Sequence, residues 1–62
     1  MIEVMTVGGY RKLIHTKHVV TINELSEKGK SNTVIVLDTG EAVFVANTFD
    51  EISYLITKEK NS

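Results

Sequence analysis

The sequence predicts a β-rich α+β fold: a small antiparallel five-stranded sheet or partly open barrel with one C-terminal α-helix. Three observations predict it. Alternating and β-branched residues dominate the chain as far as Ala46. Glycine-bearing turn signals punctuate that stretch at Gly8-Gly9 and at Asp38-Thr39-Gly40. Beyond Thr48 the apolar period changes to that of a helix, behind a capping sequence.

Each element has its own warrant. Ile2, Val4 and Thr6 alternate with Glu3, Met5 and Val7, which predicts a first strand over about 2–7. Gly8-Gly9 supplies a turn where φ is unrestricted, and a second strand over about 10–14 pairs back on the first. His15 to His18 reads as a polar connection. A third strand follows over about 19–25, with Val20 and Ile22 on one face and Thr21 and Asn23 on the other. Ser26 to Asn32 is polar around Gly29 and reads as an exposed loop.

The fourth and fifth strands, about 33–38 and 41–46, carry the strongest β signal. Between them, Asp38 suits a turn start and Gly40 the left-handed position of a bulged turn. Thr48-Phe49-Asp50-Glu51 has the form of a capping box, in which hydroxyl and carboxylate satisfy each other's backbone N–H. Phe49, Ile52, Leu55 and Ile56 then form one apolar stripe, which predicts a helix over about 49–58. Lys58 and Lys60 suit its negative C-terminal end.

Both faces of the last two strands are apolar: Val34 and Val36 against Ile35 and Leu37, then Val43 and Val45 against Ala42 and Phe44. A solvated face would carry polar residues. One short helix covers one face, so the other needs a curled sheet or a second copy of the chain. The present reading favours the second copy, with Val34, Val36, Val43 and Val45 at the oligomer interface.

At 62 residues, with no cysteine and two histidines, the chain is one small domain at most, without disulfides and with little to hold a structural zinc. Oligomerisation is the stabilising device that remains for so small a core. A net charge of −1 argues against binding nucleic acid through bulk charge. No apolar run is long enough to span a membrane, and Met1-Ile2-Glu3 does not begin a signal peptide. The expectation is a soluble protein of the bacterial cytoplasm, or of the host cytoplasm if phage-encoded.

Few residues promise chemistry. Asp38-Thr39-Gly40 has the letters of an aspartic-protease triplet, yet a chain this short builds no cleft around paired aspartates, and a hairpin turn explains it. His15 and His18 lack a third metal ligand nearby, and Gly8-Gly9-Tyr10 lacks the spacing and the Lys-Ser/Thr pair of a phosphate loop. The chain is therefore expected not to be an enzyme and to need no cofactor or metal. The richest cluster is Tyr10, Arg11, Lys12, His15, Lys17 and His18, a run with three fixed positive charges and no acid. It is a candidate site for a nucleotide, another small anionic ligand or nucleic acid, with Tyr10 as a stacking face. Its plain reading is a solvated sheet edge guarded by charge.

Met1-Ile2-Glu3-Val4, Thr6, Gly9 and Val19-Val20-Thr21-Ile22-Asn23-Glu24 resemble the opening of the FlbD family, small bacterial proteins of flagellar and swarming motility. The resemblance continues through Asn32-Thr33-Val34-Ile35-Val36-Leu37, Thr39-Gly40, Val43, Val45, Thr48, Asp50-Glu51-Ile52 and Ile56. It implies a non-enzymatic accessory protein that acts by binding a protein partner. The element order is also similar to half of a LytTR-type DNA-binding domain, which keeps nucleic acid among the possible partners.

Overall fold

The computed structural model describes residues 1–27 and 30–60, with residues 27, 30, 31 and 60 described by backbone alone. Its elements are β1 (Ile2–Met5), β2 (Arg11–Ile14), a 3₁₀ turn (Thr16–His18), β3 (Val19–Glu27), β4 (Lys30–Leu37), β5 (Ala42–Val45) and α1 (Phe49–Lys60). The fold is the β-rich α+β class expected: two antiparallel sheets, β1-β2 and β3-β4-β5, open rather than closed, with one C-terminal helix.

The two sheets are joined by the end of β1. Thr6 bridges Val45 in antiparallel sense. Beside it the Val7 N–H donates to the Phe44 carbonyl at 3.1 Å, and the Ala46 N–H donates to the Met5 carbonyl at 2.7 Å. The strands therefore follow one another in space as β2-β1-β5-β4-β3, with the opening between β2 and β3.

Both short hairpins use the same turn. In the first, the Gly9 N–H donates to the Thr6 carbonyl at 3.0 Å and the Thr6 N–H to the Tyr10 carbonyl at 2.7 Å. In the second, the Gly40 N–H donates to the Leu37 carbonyl and the Leu37 N–H to the Glu41 carbonyl, both at 2.9 Å. Gly9 and Gly40 take φ of 90° and 92°, the left-handed position of a glycine bulge. Gly8 is not under this constraint.

The core lies between the sheets and α1. Ile2, Val4, Ile14, Ile35, Val43, Val45 and Ile52 are buried together, flanked by Val19, Ile22, Leu37, Leu55 and Ile56. Alternation follows from the pleat: Val43 and Val45 point inward while Ala42 and Phe44 point outward. Thr33 shares the inward face and is fully buried, its hydroxyl donating to the Asn47 carbonyl at 2.9 Å.

One expectation is overturned. The described residues of the Ser26 to Asn32 segment, 26–27 and 30–32, are strand rather than loop. Leu25 pairs with Asn32, Ser26 with Ser31 and Glu27 with Lys30, so β3 and β4 run on as a long hairpin arm. Leu25 and Ser26 are exposed there. With the successive residues Leu25 and Ser26 both exposed, apolar alternation does not mark the strand there, so its sequence resembles a loop. Gly29, the centre of the expected loop, lies outside the described residues. Smaller differences follow the same logic of pairing. β1 stops at Met5 because Thr6 and Val7 turn toward β5, and the connection at His15 to His18 winds into a 3₁₀ turn closed by His18 N–H to the His15 carbonyl at 3.0 Å. The helix runs on to Lys60.

The helix start has the expected capping box. The Glu51 N–H donates to the Thr48 hydroxyl at 3.1 Å, and the Thr48 N–H lies 3.5 Å from the Glu51 carboxylate. Asn47, then Thr48, hydrogen-bond that carboxylate and hold its pKa below the usual range. At the other end Glu59 accepts from the Met1 amino group, which lowers its pKa. The Thr16 hydroxyl donates to the same carboxylate oxygen at 3.0 Å. Lys58 sits over the Tyr54 ring, 5.9 Å from its centroid.

Three outcomes follow from these local geometries. Gly9→Ala and Gly40→Ala should each destabilise by about 1 kcal/mol, whereas Gly8→Ala should change stability by less than about 0.5 kcal/mol. Urea denaturation ranks the three, and equal costs would contradict the shared turn. Thr48→Ala should cost about 1 kcal/mol. Because Glu51 and Glu59 have lowered folded pKa values, their contribution is fully present above the unfolded value of about 4.3 and is lost as pH falls through the folded values. Thermal melts from pH 7 downward should therefore fall off in acid, and Glu51→Gln with Glu59→Gln should flatten that decline.

Candidate functional site

The basic run lies on β2 and the 3₁₀ turn, and the fold disperses it. Arg11 stands opposite Met5 on the outward side of β2, and Lys12 opposite Val4 on the side that continues into the core. Neighbours in sequence thus point to opposite faces. Tyr10 follows the first turn and is 74% exposed.

The acids that the run lacks come from elsewhere in the chain. Arg11 lies 3.9 Å from Glu3 across the β1-β2 ladder. Lys12 lies 3.6 Å from Glu41, which enters β5. The His18 Nδ1 lies 2.9 Å from Asp38 Oδ2, and the Asp38 N–H donates to the His18 carbonyl at 2.8 Å. The His15 and His18 rings meet edge to face, centroids 6.1 Å apart. Lys17 has no ion-pair partner among the described residues. Two of the three fixed charges, Arg11 and Lys12, are thus matched locally and His18 is hydrogen-bonded to Asp38, while all these groups remain in contact with solvent.

Asp38-Thr39-Gly40 is the turn between β4 and β5, with Asp38 tied to the start of β3 rather than aimed into a cleft. No group of three His, Cys, Asp or Glu capable of holding a metal occurs among the described residues. A shallow cleft of about 280 Å³ lies between β1 and the end of α1, lined by Met1, Ile2, Glu3, Leu55, Lys58 and Glu59. Among the described residues no helix is long and apolar enough to cross a membrane.

A second candidate surface is the side of the sheet away from the helix. The register of β4 and β5 sets Val34 opposite Phe44 and Val36 opposite Ala42 on this outer face. It also divides the four valines expected at an interface: Val34 and Val36 face outward, whereas Val43 and Val45 belong to the chain's own core. Val34 is 9% exposed and Val36 half-buried, in the centre of the sheet. Around them Met5, Leu13, Leu25 and Phe44 are 41%, 61%, 43% and 48% exposed. Sequence reasoning named Phe44 with the valines as apolar but did not single out Met5, Leu13 and Leu25 as surface residues. Only the strand register shows which of them turn outward.

The chain matches no protein-family model, and neither curated proteins nor solved structures compared with it give a match.

Exposed ion pairs contribute little. Replacing Arg11 and Lys12 together with Gln should change stability by less than about 0.5 kcal/mol. A loss above about 1 kcal/mol in urea denaturation would mean the pairs with Glu3 and Glu41 hold the sheets together.

Proposed function

We propose that the chain is a non-enzymatic, homo-oligomeric interaction module whose copies associate through the outer sheet face, the protein-binding role that its resemblance to the FlbD family implies. The observation that carries this reading is the apolar outer face itself. Val34, Val36, Phe44, Met5 and Leu25 lie on the side that the chain's only described helix does not cover. Exposed Met5, Leu25 and Phe44 gathered on one uncovered side support association there.

The alternative, a site for a nucleotide, another small anion or nucleic acid along Tyr10 to His18, has the unpaired Lys17 and the exposed Tyr10 in its favour. Against it stand Glu3, Glu41 and Asp38, each already placed beside a cationic or basic group. An anion entering there has three carboxylates to displace or repel.

Sedimentation at micromolar concentration should show a species heavier than the 6.9 kDa chain. Phe44→Glu, at an outward and half-exposed position, should keep the circular dichroism spectrum and lower the mass. A monomeric wild type contradicts the reading. Calorimetry with nucleotides, giving heat that Arg11→Gln with Lys12→Gln abolishes, would move the function to the basic run.

A further inference from the structure

The connection between β2 and β3 holds a cluster that the outer sheet face does not use. His15 and His18 stand at the two ends of the 3₁₀ turn, whose closing bond runs from the His18 N–H to the His15 carbonyl at 3.0 Å. Such a turn has three residues per repeat, so its first and fourth side chains lie one above the other. On a strand the same spacing would put the two rings on opposite faces. Here the ring centroids are 6.1 Å apart, and both residues are exposed.

One of the rings is already oriented. The His18 Nδ1 lies 2.9 Å from Asp38 Oδ2. A carboxylate only accepts hydrogen bonds, so Nδ1 carries the proton and Nε2 of the neutral ring keeps its lone pair. The Asp38 N–H donates to the His18 carbonyl at 2.8 Å, which fixes the same two residues through the backbone. A carboxylate behind an imidazole orients the ring for a metal ion and raises its basicity as a ligand. Glu59 adds negative charge on the His15 side of the turn. It accepts from the Thr16 hydroxyl at 3.0 Å and interacts electrostatically with His15.

We propose that His15 and His18 chelate a divalent transition-metal ion of the copper, nickel and zinc class, with Asp38 positioning the His18 ring. The distances permit it. Metal–nitrogen bonds are about 2.05 Å and each nitrogen lies about 1.15 Å from its ring centre, so two imidazoles on one ion have centres at most about 6.4 Å apart, and about 5.2 Å apart at a tetrahedral angle. Rings at 6.1 Å reach that spacing by closing about 1 Å, through side-chain rotations that are fast at exposed positions. Imidazole nitrogens select this class over magnesium and calcium, which take oxygen ligands. Among the described residues no group of three His, Cys, Asp or Glu forms a closed centre. The ion therefore keeps open positions for water. Lys17, the fixed cation of the turn, falls on another side of the three-residue repeat.

Nuclear magnetic resonance of the full chain, titrated with zinc chloride in a buffer that does not bind metal, tests the site. The ring signals of His15 and His18 should move together and saturate, and excess chelator should return them. Magnesium chloride should leave them in place. His15→Ala and His18→Ala should each weaken zinc binding at least tenfold while circular dichroism stays native, because both residues are exposed. Asp38→Asn should weaken it about tenfold. Ring-nitrogen shifts should place the His18 proton on Nδ1 in the wild type and on both nitrogens in Asp38→Asn. Zinc that moves one ring alone, or binding that survives His15→Ala with His18→Ala, would overturn the chelate. Unchanged affinity and tautomer in Asp38→Asn would overturn the positioning role. Phe44→Glu should bind zinc as the wild type does, so this site and the outer-face reading stand or fall separately.

Discussion

The fold depends on the few hydrogen bonds that tie the end of β1 to β5. A two-stranded hairpin such as β1-β2 is at best marginal alone, and three strands with an apolar face are the smallest sheet that stands by itself. The Thr6-Val45 bridge makes the hairpin part of the larger sheet. Asn47 locks the junction. Its side-chain carbonyl accepts from the Met5 N–H at 2.8 Å, its backbone carbonyl accepts from buried Thr33, and its amide lies 3.4 Å from Glu51. One residue thereby links β1, β4 and the helix cap. With the hairpin held there, Ile2, Val4 and Ile14 reach Ile35, Val45 and Ile52, and a single core exists.

The same junction fixes what remains exposed. Curling the strands in the order β2-β1-β5-β4-β3 leaves the gap between β2 and β3, where the connection is a 3₁₀ turn rather than a ladder. The one helix fills the concave side. The convex side keeps Val34, Val36 and Phe44, residues no solvated sheet face needs. The basic run divides between β2 and the 3₁₀ turn, and Glu3 and Glu41 stand beside Arg11 and Lys12. Part of the local excess of positive charge was therefore a property of the sequence window and not of the surface.

Much of this architecture was legible in the sequence, and the parts that were not share a cause. Turns and caps are local. Gly40 and the Thr48-to-Glu51 spacing state their geometry within a few residues, and both are found as expected. Gly9 occupies an equivalent position, although the sequence did not distinguish it from Gly8. The end of β3 beyond Leu25 was unreadable because exposed residues on both faces, Leu25 and Ser26, do not show the alternation by which strands are recognised. The Thr6-Val45 bridge and the acids Glu3, Asp38 and Glu41 were unreadable because they are contacts between distant segments. For the candidate surfaces, apolar residues on both faces signalled that something must cover the sheet. Only the register showed that Val43 and Val45 are already covered and that Phe44, Met5 and Leu25 are not.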